Sequence, residues 1–97
     1  MVISGNTTGS IKSTAIDIPC TIVSIALYNN TAGAIVAKTG IVVSGTDRYL
    51  FSDNLAAAGS AGSSVYHDVN IVVKAGDRIL IVSSAGGLGL DYYITVK

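Results

Sequence analysis

The chain has 97 residues, of which 49% are hydrophobic and only 12% are charged, and six acidic residues balance six basic ones. A chain of this length makes a single domain, residues 1–97, and its dispersed basic residues lack the clustering that nucleic-acid binding needs. No apolar run approaches the roughly 18 residues of a membrane span, and no N-terminal stretch resembles a signal peptide. Sparse and balanced charge favours association with other protein surfaces.

The N-terminal part of the chain predicts an arm followed by a strand. Residues 1–9 are expected to form a flexible N-terminal arm or a short edge strand. Residues 10–18 alternate in polarity and place Thr14, Ile16 and Ile18 on one face. This alternation, closed by a proline, predicts a half-buried strand.

Three further strands are predicted before the middle of the chain. Residues 21–29 alternate cleanly and predict a strand with an apolar inward face. Residues 34–44 are apolar but interrupted at 38–40, so either Gly40 marks a bulge in one long strand or these three residues turn a tight hairpin. The bulge is the preferred interpretation. Residues 48–52 predict a short strand.

The second half begins with a weakly patterned stretch. Residues 53–64, rich in Ala, Gly and Ser, predict a mobile loop with room for one helical turn at 55–58. Residues 65–74 alternate well, although His67 interrupts the apolar set. Residues 78–83 are apolar without alternation, which is typical of a strand covered on both faces.

A glycine-rich loop at residues 85–89 and a final strand at residues 91–97 complete the pattern. Seven or eight short strands, separated by turn signals, predict an all-β fold, an antiparallel β-sandwich of the jelly-roll type. The period of two predicts the core residues, which are Val23, Ile25, Leu27, Ile71, Val73, Ile79, Ile81, Ile94 and Val96.

The sequence offers little material for catalysis, and we expect no catalytic residue and no enzyme activity. His67 is the only histidine, and its neighbour Asp68 is expected on the opposite face of the strand, where it cannot orient the imidazole ring. Ser63 and Ser64 lie in the predicted loop, and a triad needs a third group that supports the base. A solvated or interface histidine is the preferred interpretation.

Metal and cofactor sites are not expected either. One histidine and one cysteine cannot form a closed zinc site, and the aspartates lack EF-hand spacing, so most are expected to cap turns. Residues 86–89 lack the spacing and following helix of a phosphate loop. Cys20 excludes an intrachain disulfide and is expected to be a small buried hydrophobe, with an interchain disulfide or reactive thiol as the alternative. The aspartates considered are Asp47, Asp53, Asp68, Asp77 and Asp91.

Five tyrosines remain as candidates for contacts with a partner. Tyr92 and Tyr93 are adjacent in a predicted strand, so one is expected to pack inward and the other to be exposed. An exposed tyrosine suits a protein interface or a stacked sugar ring, although incidental exposure is common. The other three are Tyr28, Tyr49 and Tyr66.

The order of these segments resembles small β-sandwich proteins of tailed bacteriophage virions, namely capsid decoration (cement) proteins, head fibres and neck or tail accessory proteins. The resemblance covers about residues 20–97 and rests on the segments 21–36, 50–60, 69–84 and 90–96. Its sharpest element is Lys74-Ala-Gly-Asp-Arg-Ile79, a Gly-Asp turn before an apolar strand. Such a turn recurs in many jelly rolls, and no functional residue is carried over from it.

The resemblance implies a structural role in the virion, with a homo-oligomer, a trimer being favoured, that binds the major capsid protein or another virion protein. No nucleic-acid or membrane partner is expected. The alternative is a host-surface or carbohydrate-binding module of a phage fibre or tail. Several clustered, exposed aromatic side chains would favour that alternative.

Overall fold

The computed structural model describes residues 1–13, 15–84 and 89–97, and the described residues form eight strands. None of them belongs to a helix with the length and apolarity that a membrane span requires. The strands are β1 (Val2–Thr7), β2 (Ser10–Lys12), β3 (Cys20–Asn29), β4 (Ile35–Val43), β5 (Thr46–Leu55), β6 (Ser64–Val73), β7 (Arg78–Ser83) and β8 (Leu90–Val96). The predicted all-β class is confirmed.

The strands make two four-stranded antiparallel sheets. Sheet A has the order β1-β8-β3-β6, and sheet B has the order β2-β7-β4-β5. Four nested pairs run through the chain, since β1 pairs with β8, β2 with β7, β3 with β6 and β4 with β5. Such nesting is what results when one long hairpin folds over on itself, and it gives the jelly-roll form of the β-sandwich.

The core lies between the two sheets and contains most of the predicted residues. Seven of the nine predicted core residues are buried, all except Val23 and Ile71. Ile71 is half-buried and packs against the core from β6, whereas Ile22 is buried where Val23 was expected. The reason is a shift of register in β3 between Ile22 and Ser24, which moves the inward side from Ile22 to Ile25.

The preferred interpretation, a bulge marked by Gly40 in one long strand, is confirmed in part, because the extra residue, Leu50, belongs to the partner strand β5. The pairing of β4 with β5 shifts register between Thr39 and Gly40, and β4 continues through Gly40 without a turn. A Cβ atom at Gly40 would lie 2.0 Å from the carbonyl oxygen of Arg48, so only glycine allows the two strands to approach here. Strand β5 is longer than predicted because this pairing continues to Leu55.

Of the two N-terminal predictions, the structure selects one alternative for residues 1–9 and corrects the strand predicted at 10–18. Residues 1–9 contain an edge strand, since β1 pairs with β8 along its whole length. The predicted strand at 10–18 is wrong beyond Lys12, where β2 ends. The reason is that the chain crosses from sheet B to sheet A before β3. The backbone of Ile16 forms hydrogen bonds with Gly76 and Asp77, which belong to a turn and not to a strand. Ile16 packs against the core, Ile18 is exposed, and Thr14 lies outside the described residues.

The segment predicted as a loop at 53–64 is shorter and carries no helical turn. Strand β5 takes its first three residues, and the connection 56–63 is closed by a backbone hydrogen bond from Ala56 to Gly62. A second bond, from the N–H of Ala58 to the carbonyl of Thr31, ties this connection to the turn after β3.

The C-terminal strands follow the predictions. Strand β7 buries three consecutive residues, as expected for a strand covered on both faces, and β8 alternates with Tyr92 inward and Tyr93 exposed. Residues 85–88 of the predicted glycine-rich loop lie outside the described residues. Gly89 adopts a φ of +84°, and its missing Cβ leaves room for the carbonyl of Thr7 on the neighbouring strand.

Candidate functional site: the outer face of sheet A

Three exposed tyrosines meet on the outer face of sheet A. In the sheet register, Ala26 lies between Tyr66 of β6 and Tyr93 of β8, and Tyr28 is the next outward residue of β3. Because the methyl group of Ala26 is small, the rings of Tyr28 and Tyr93 border a depression beside it. The name tyrosine surface is used below for Tyr28, Tyr66 and Tyr93 together with this depression.

The depression is an open groove of about 410 Å³, lined by Ala26, Tyr28, Asn30, Asp91 and Tyr93. The rings of Tyr28 and Tyr93 meet edge to face, with centroids 5.7 Å apart and planes at 81°. One ring therefore offers a flat face where the other offers an edge, an arrangement that suits aromatic pairs. Such a groove can receive a flat or ring-shaped group against an aromatic wall.

Asp91 is held in place at the end of the groove by two amide side chains. The Nδ2 group of Asn6, on β1, donates to Oδ1 of Asp91 over 2.8 Å, and the Nδ2 group of Asn30 donates to Oδ2. The carboxylate is thus bonded from both sides by residues of different elements. Its orientation is fixed before any ligand arrives, which lowers the entropic cost of binding.

Asn30 is positioned by the buried residue that precedes it. The Nδ2 group of Asn29 donates to the carbonyls of Gly33 and Ala56 over 2.9 and 2.8 Å, while its Oδ1 accepts from the N–H and the hydroxyl of Thr31 over 2.8 and 2.7 Å. These bonds fix the turn after β3 and link it to the connection between β5 and β6. A buried amide with all these partners is the stable form of a polar side chain in a core.

Charge is distributed unequally between the two sheets. The four strands of sheet A contain no Lys or Arg, whereas each strand of sheet B contains one. The outward residues of sheet A include two carboxylates, Asp68 and Asp91. The outer face of sheet A is therefore aromatic, polar and weakly acidic, and tyrosine with serine and asparagine is the composition of many recognition surfaces.

His67 lies elsewhere and has partners that the sequence did not indicate. Its ring stacks on Phe51 of β5 with centroids 4.1 Å apart, and its Nε2 lies 2.9 Å from Oδ2 of Asp53. Both side chains of the His67–Asp53 pair are about one-fifth exposed, at 21% and 17%. The pair joins the edge strands β5 and β6 of the two sheets, so its evident role is to close that side of the sandwich.

The residues considered for catalysis do not converge on His67. Asp68 is exposed on the opposite face, as predicted, and Ser64 also points outward. Ser63 is bonded through its backbone to Asn29 and Ser60 in the connection before β6. Sequence reasoning missed Asp53 as the partner of His67, because Asp53 was placed in the predicted loop. A longer β5 would have put Asp53 on the inward side of the strand together with Phe51.

The remaining acidic residues and the cysteine have separate positions. Asp77 is buried and its Oδ2 accepts from the backbone N–H of Lys74 over 3.3 Å, which is the predicted turn cap. Asp47 instead pairs with Lys12 over 3.3 Å. Among the described residues, no three His, Cys, Asp or Glu side chains gather as metal ligands would. Cys20 is a free thiol, half-buried at the start of β3 and packed against the core.

Comparison with known proteins leaves the chain without an assigned relative. No family model matches it, and no curated protein matches it significantly. Function therefore has to be argued from the tyrosine surface and from the rest of the fold.

Proposed function

We propose that this protein is a non-enzymatic structural protein of a bacteriophage virion, a capsid decoration (cement) protein that binds the assembled shell of the major capsid protein. The observation that carries the proposal is the tyrosine surface on a sheet whose strands have no Lys or Arg. Tyrosine is enriched at the centres of protein interfaces, and charged residues are depleted there. The fold gives support by analogy only, since jelly rolls occur in viral capsid and lectin domains.

A decoration protein of this kind gains from geometry more than from any single contact. A homo-oligomer that touches several capsid subunits at once binds the shell through multivalency, whereas a free subunit offers one contact. Binding is expected to depend little on salt, because few charges are available on the proposed face. We expect the virion to be the place of action, and a trimer is the oligomer that the resemblance suggests.

Co-sedimentation with capsid shells tests the proposal. The wild-type protein should sediment with assembled shells and bind unassembled capsid subunits much more weakly. Tyr93→Ala, on sheet A, should weaken shell binding by at least about tenfold. Tyr49→Ala is the matched control, because Tyr49 is similarly exposed but lies on sheet B. Equal effects of the two substitutions, or no sedimentation of the wild type, would count against the proposal.

A second candidate is a host-surface or carbohydrate-binding module, and the groove with its fixed Asp91 favours it. Sugars bind by stacking on aromatic rings and by hydrogen bonds to oriented polar groups, and both are present. Since the strands of sheet A carry no cation, a neutral or amine-bearing polysaccharide is the expected class. If the wild type binds such a polysaccharide, Asp91→Ala does not, and the wild type does not bind capsid shells, this second function is favoured over the first.

A further inference from the structure

The outer edge of β6 is one of the two longest open strand edges in the described part of the molecule, equal in length to that of β5. β6 has 10 residues and is the last strand of sheet A, with β3 on one side and no strand on the other. Along such an edge, every second residue presents its backbone N–H and C=O to solvent. These groups form a template on which another extended strand can pair.

The hydrogen bonds on the inner side of β6 identify which residues present these groups. The N–H of Asn29 donates to the carbonyl of Ser63 over 2.9 Å, and the register continues with Tyr28 opposite Ser64 and Leu27 opposite Val65. In an antiparallel ladder, residues bonded to the neighbour alternate with residues that point away. Up to the register shift at Val69 and Asn70, the even-numbered residues therefore point away, and they are Ser64, Tyr66 and Asp68.

The other three sheet edges are protected in ways that β6 is not. β2 has only three residues, and β1 has six and contains Gly5. β5 is as long as β6 and also has one register shift, but it carries Asp47 and Arg48 near its start. β6 contains no Lys, Arg or Pro, and its pairing with β3 shifts register only at Val69 and Asn70, so residues 64–68 form a regular open edge. Short length, bulges and charges are the usual protections of an edge strand.

We infer that the edge of β6 binds the β6 edge of a second copy of this chain, in antiparallel orientation about a twofold axis. A second copy fits because a twofold axis brings the same donors and acceptors together in both directions, so the edge is complementary to itself. Tyr66 is 65% exposed, and in the pair it gains a cross-strand neighbour. A register with Tyr66 on the axis places Ser64 opposite Asp68; one with Asp68 on the axis is disfavoured by opposed carboxylates.

This pairing goes beyond the proposed function and has a consequence for it. Sheet A of one copy and sheet A of the other become one sheet of eight strands. Because the twofold axis is normal to that sheet, the outer faces of the two copies lie on the same side. Two tyrosine surfaces then point in one direction. A dimer so arranged can engage a repeating partner with both surfaces at once, which raises its affinity without new contacts.

Light scattering and amide exchange test the pairing on the full chain. The inference predicts a dimer in place of the trimer that the resemblance suggests, so the wild type should have twice the 9.8 kDa mass of one chain. The amides of Tyr66 and Asp68 should exchange more slowly in the dimer than on dilution. Asp68→Pro removes an N–H that points away from β3 and should give a monomer. Asp68→Ala is the matched control; it keeps the N–H and removes the carboxylate, so it should remain a dimer.

If Asp68→Pro fails to fold by circular dichroism, Tyr66→Lys takes its place, because Tyr66 is exposed, the two lysines would face each other at the axis, and lysine is a natural edge protector. This variant should also be a monomer. A wild type that is monomeric at every concentration, or an oligomer such as a trimer whose mass neither variant changes, would overturn the inference. A wild-type dimer that does not bind capsid shells would support the inference and contradict the proposed function.

Discussion

The two outer faces of the sandwich are built from similar strands but treat their apolar residues differently. On sheet B, Leu80 and Val42 are buried although they lie outside the core between the sheets. Leu80 is the strand partner of Lys12, and Val42 is the partner of Asp47. The ion pair between Lys12 and Asp47 therefore passes from one edge of sheet B to the other, over the strands that carry these two residues.

On sheet A, no ion pair among the described residues covers the outer face in this way. Tyr28, Tyr66 and Tyr93 remain 46%, 65% and 45% exposed, and the strands supply no long cationic side chain to lie over them. Lys and Arg bury their aliphatic stems along apolar surface while their charge stays in water. The comparison teaches that sheet B covers its own outer face, whereas sheet A leaves its face available to a partner.

The largest expected effect on stability is that of truncating Leu80 on the outer face of sheet B, compared with truncating Tyr93 on the outer face of sheet A. Leu80→Ala should lower the free energy of unfolding by about 2–5 kcal/mol, as for a core leucine, because Leu80 is fully buried. Tyr93→Ala should cost only about 1 kcal/mol, since the ring is half exposed and loses mainly its contact with Tyr28. Urea denaturation measures both, and equal costs would remove the contrast between the faces.

The next largest effect on stability is expected at the bulge of sheet B. Gly40→Ala should destabilise the protein by about 3 kcal/mol, because the new methyl group collides with the backbone of β5 and both strands must shift. Gly9→Ala is the control: its added Cβ meets no atom within 4 Å, so the cost should stay within about 0.5 kcal/mol. Thermal melts of the two variants should differ clearly; a similar melting temperature would contradict the register of β4 and β5.

The side of the sandwich that joins the two sheets is tested at His67. His67→Ala should cost about 1–3 kcal/mol, because Phe51 loses a stacked ring and Asp53 loses its partner in a half-buried position. Asp68→Ala, at the next residue but on the exposed face, should change stability by less than about 0.5 kcal/mol. Neither substitution should create or remove a hydrolase activity, and an activity lost with His67 would refute the non-enzymatic proposal.

The smallest effect is expected at the ion pair that spans sheet B. Both side chains are substantially exposed, at 45% and 36%, so the coupling between Lys12 and Asp47 should be below about 1 kcal/mol. A double-mutant cycle with Lys12→Met and Asp47→Asn measures it. Lys12→Ala should cost more than Lys12→Met, because methionine keeps most of the aliphatic stem; if the two variants are equal, the stem does not protect Leu80.

Local patterns were sufficient to predict most strands and several details of their faces. The alternation of β8 predicted that one of Tyr92 and Tyr93 would be inward and the other exposed, and the apolar run of β7 predicted burial on both faces. Gly40 predicted a bulge at its place in the ladder because a glycine inside an apolar strand has few other reasons to be there, although the extra residue, Leu50, lies in β5. These predictions succeeded because side-chain direction in a strand depends only on neighbouring residues.

The candidate site could not be predicted in the same way. Asn6 and Asp91 are separated by 85 positions in the chain, and only the pairing of β1 with β8 brings them into contact. The partnership of His67 with Asp53 depends on two edge strands of different sheets lying over one another. Tyr66 and Tyr93 were candidates separately, but their shared position around Ala26 follows from the strand order of sheet A.

The sequence by itself determined that the chain forms strands, where most of them lie and which side of each is apolar, because a period of two residues is a local property of the backbone. The tertiary structure alone decided that the chain crosses between the sheets after β2, that Leu80 is buried on an outer face, and that three tyrosines gather on the other. The physical reason is that strand order is set by contacts between distant segments, which no window along the chain contains.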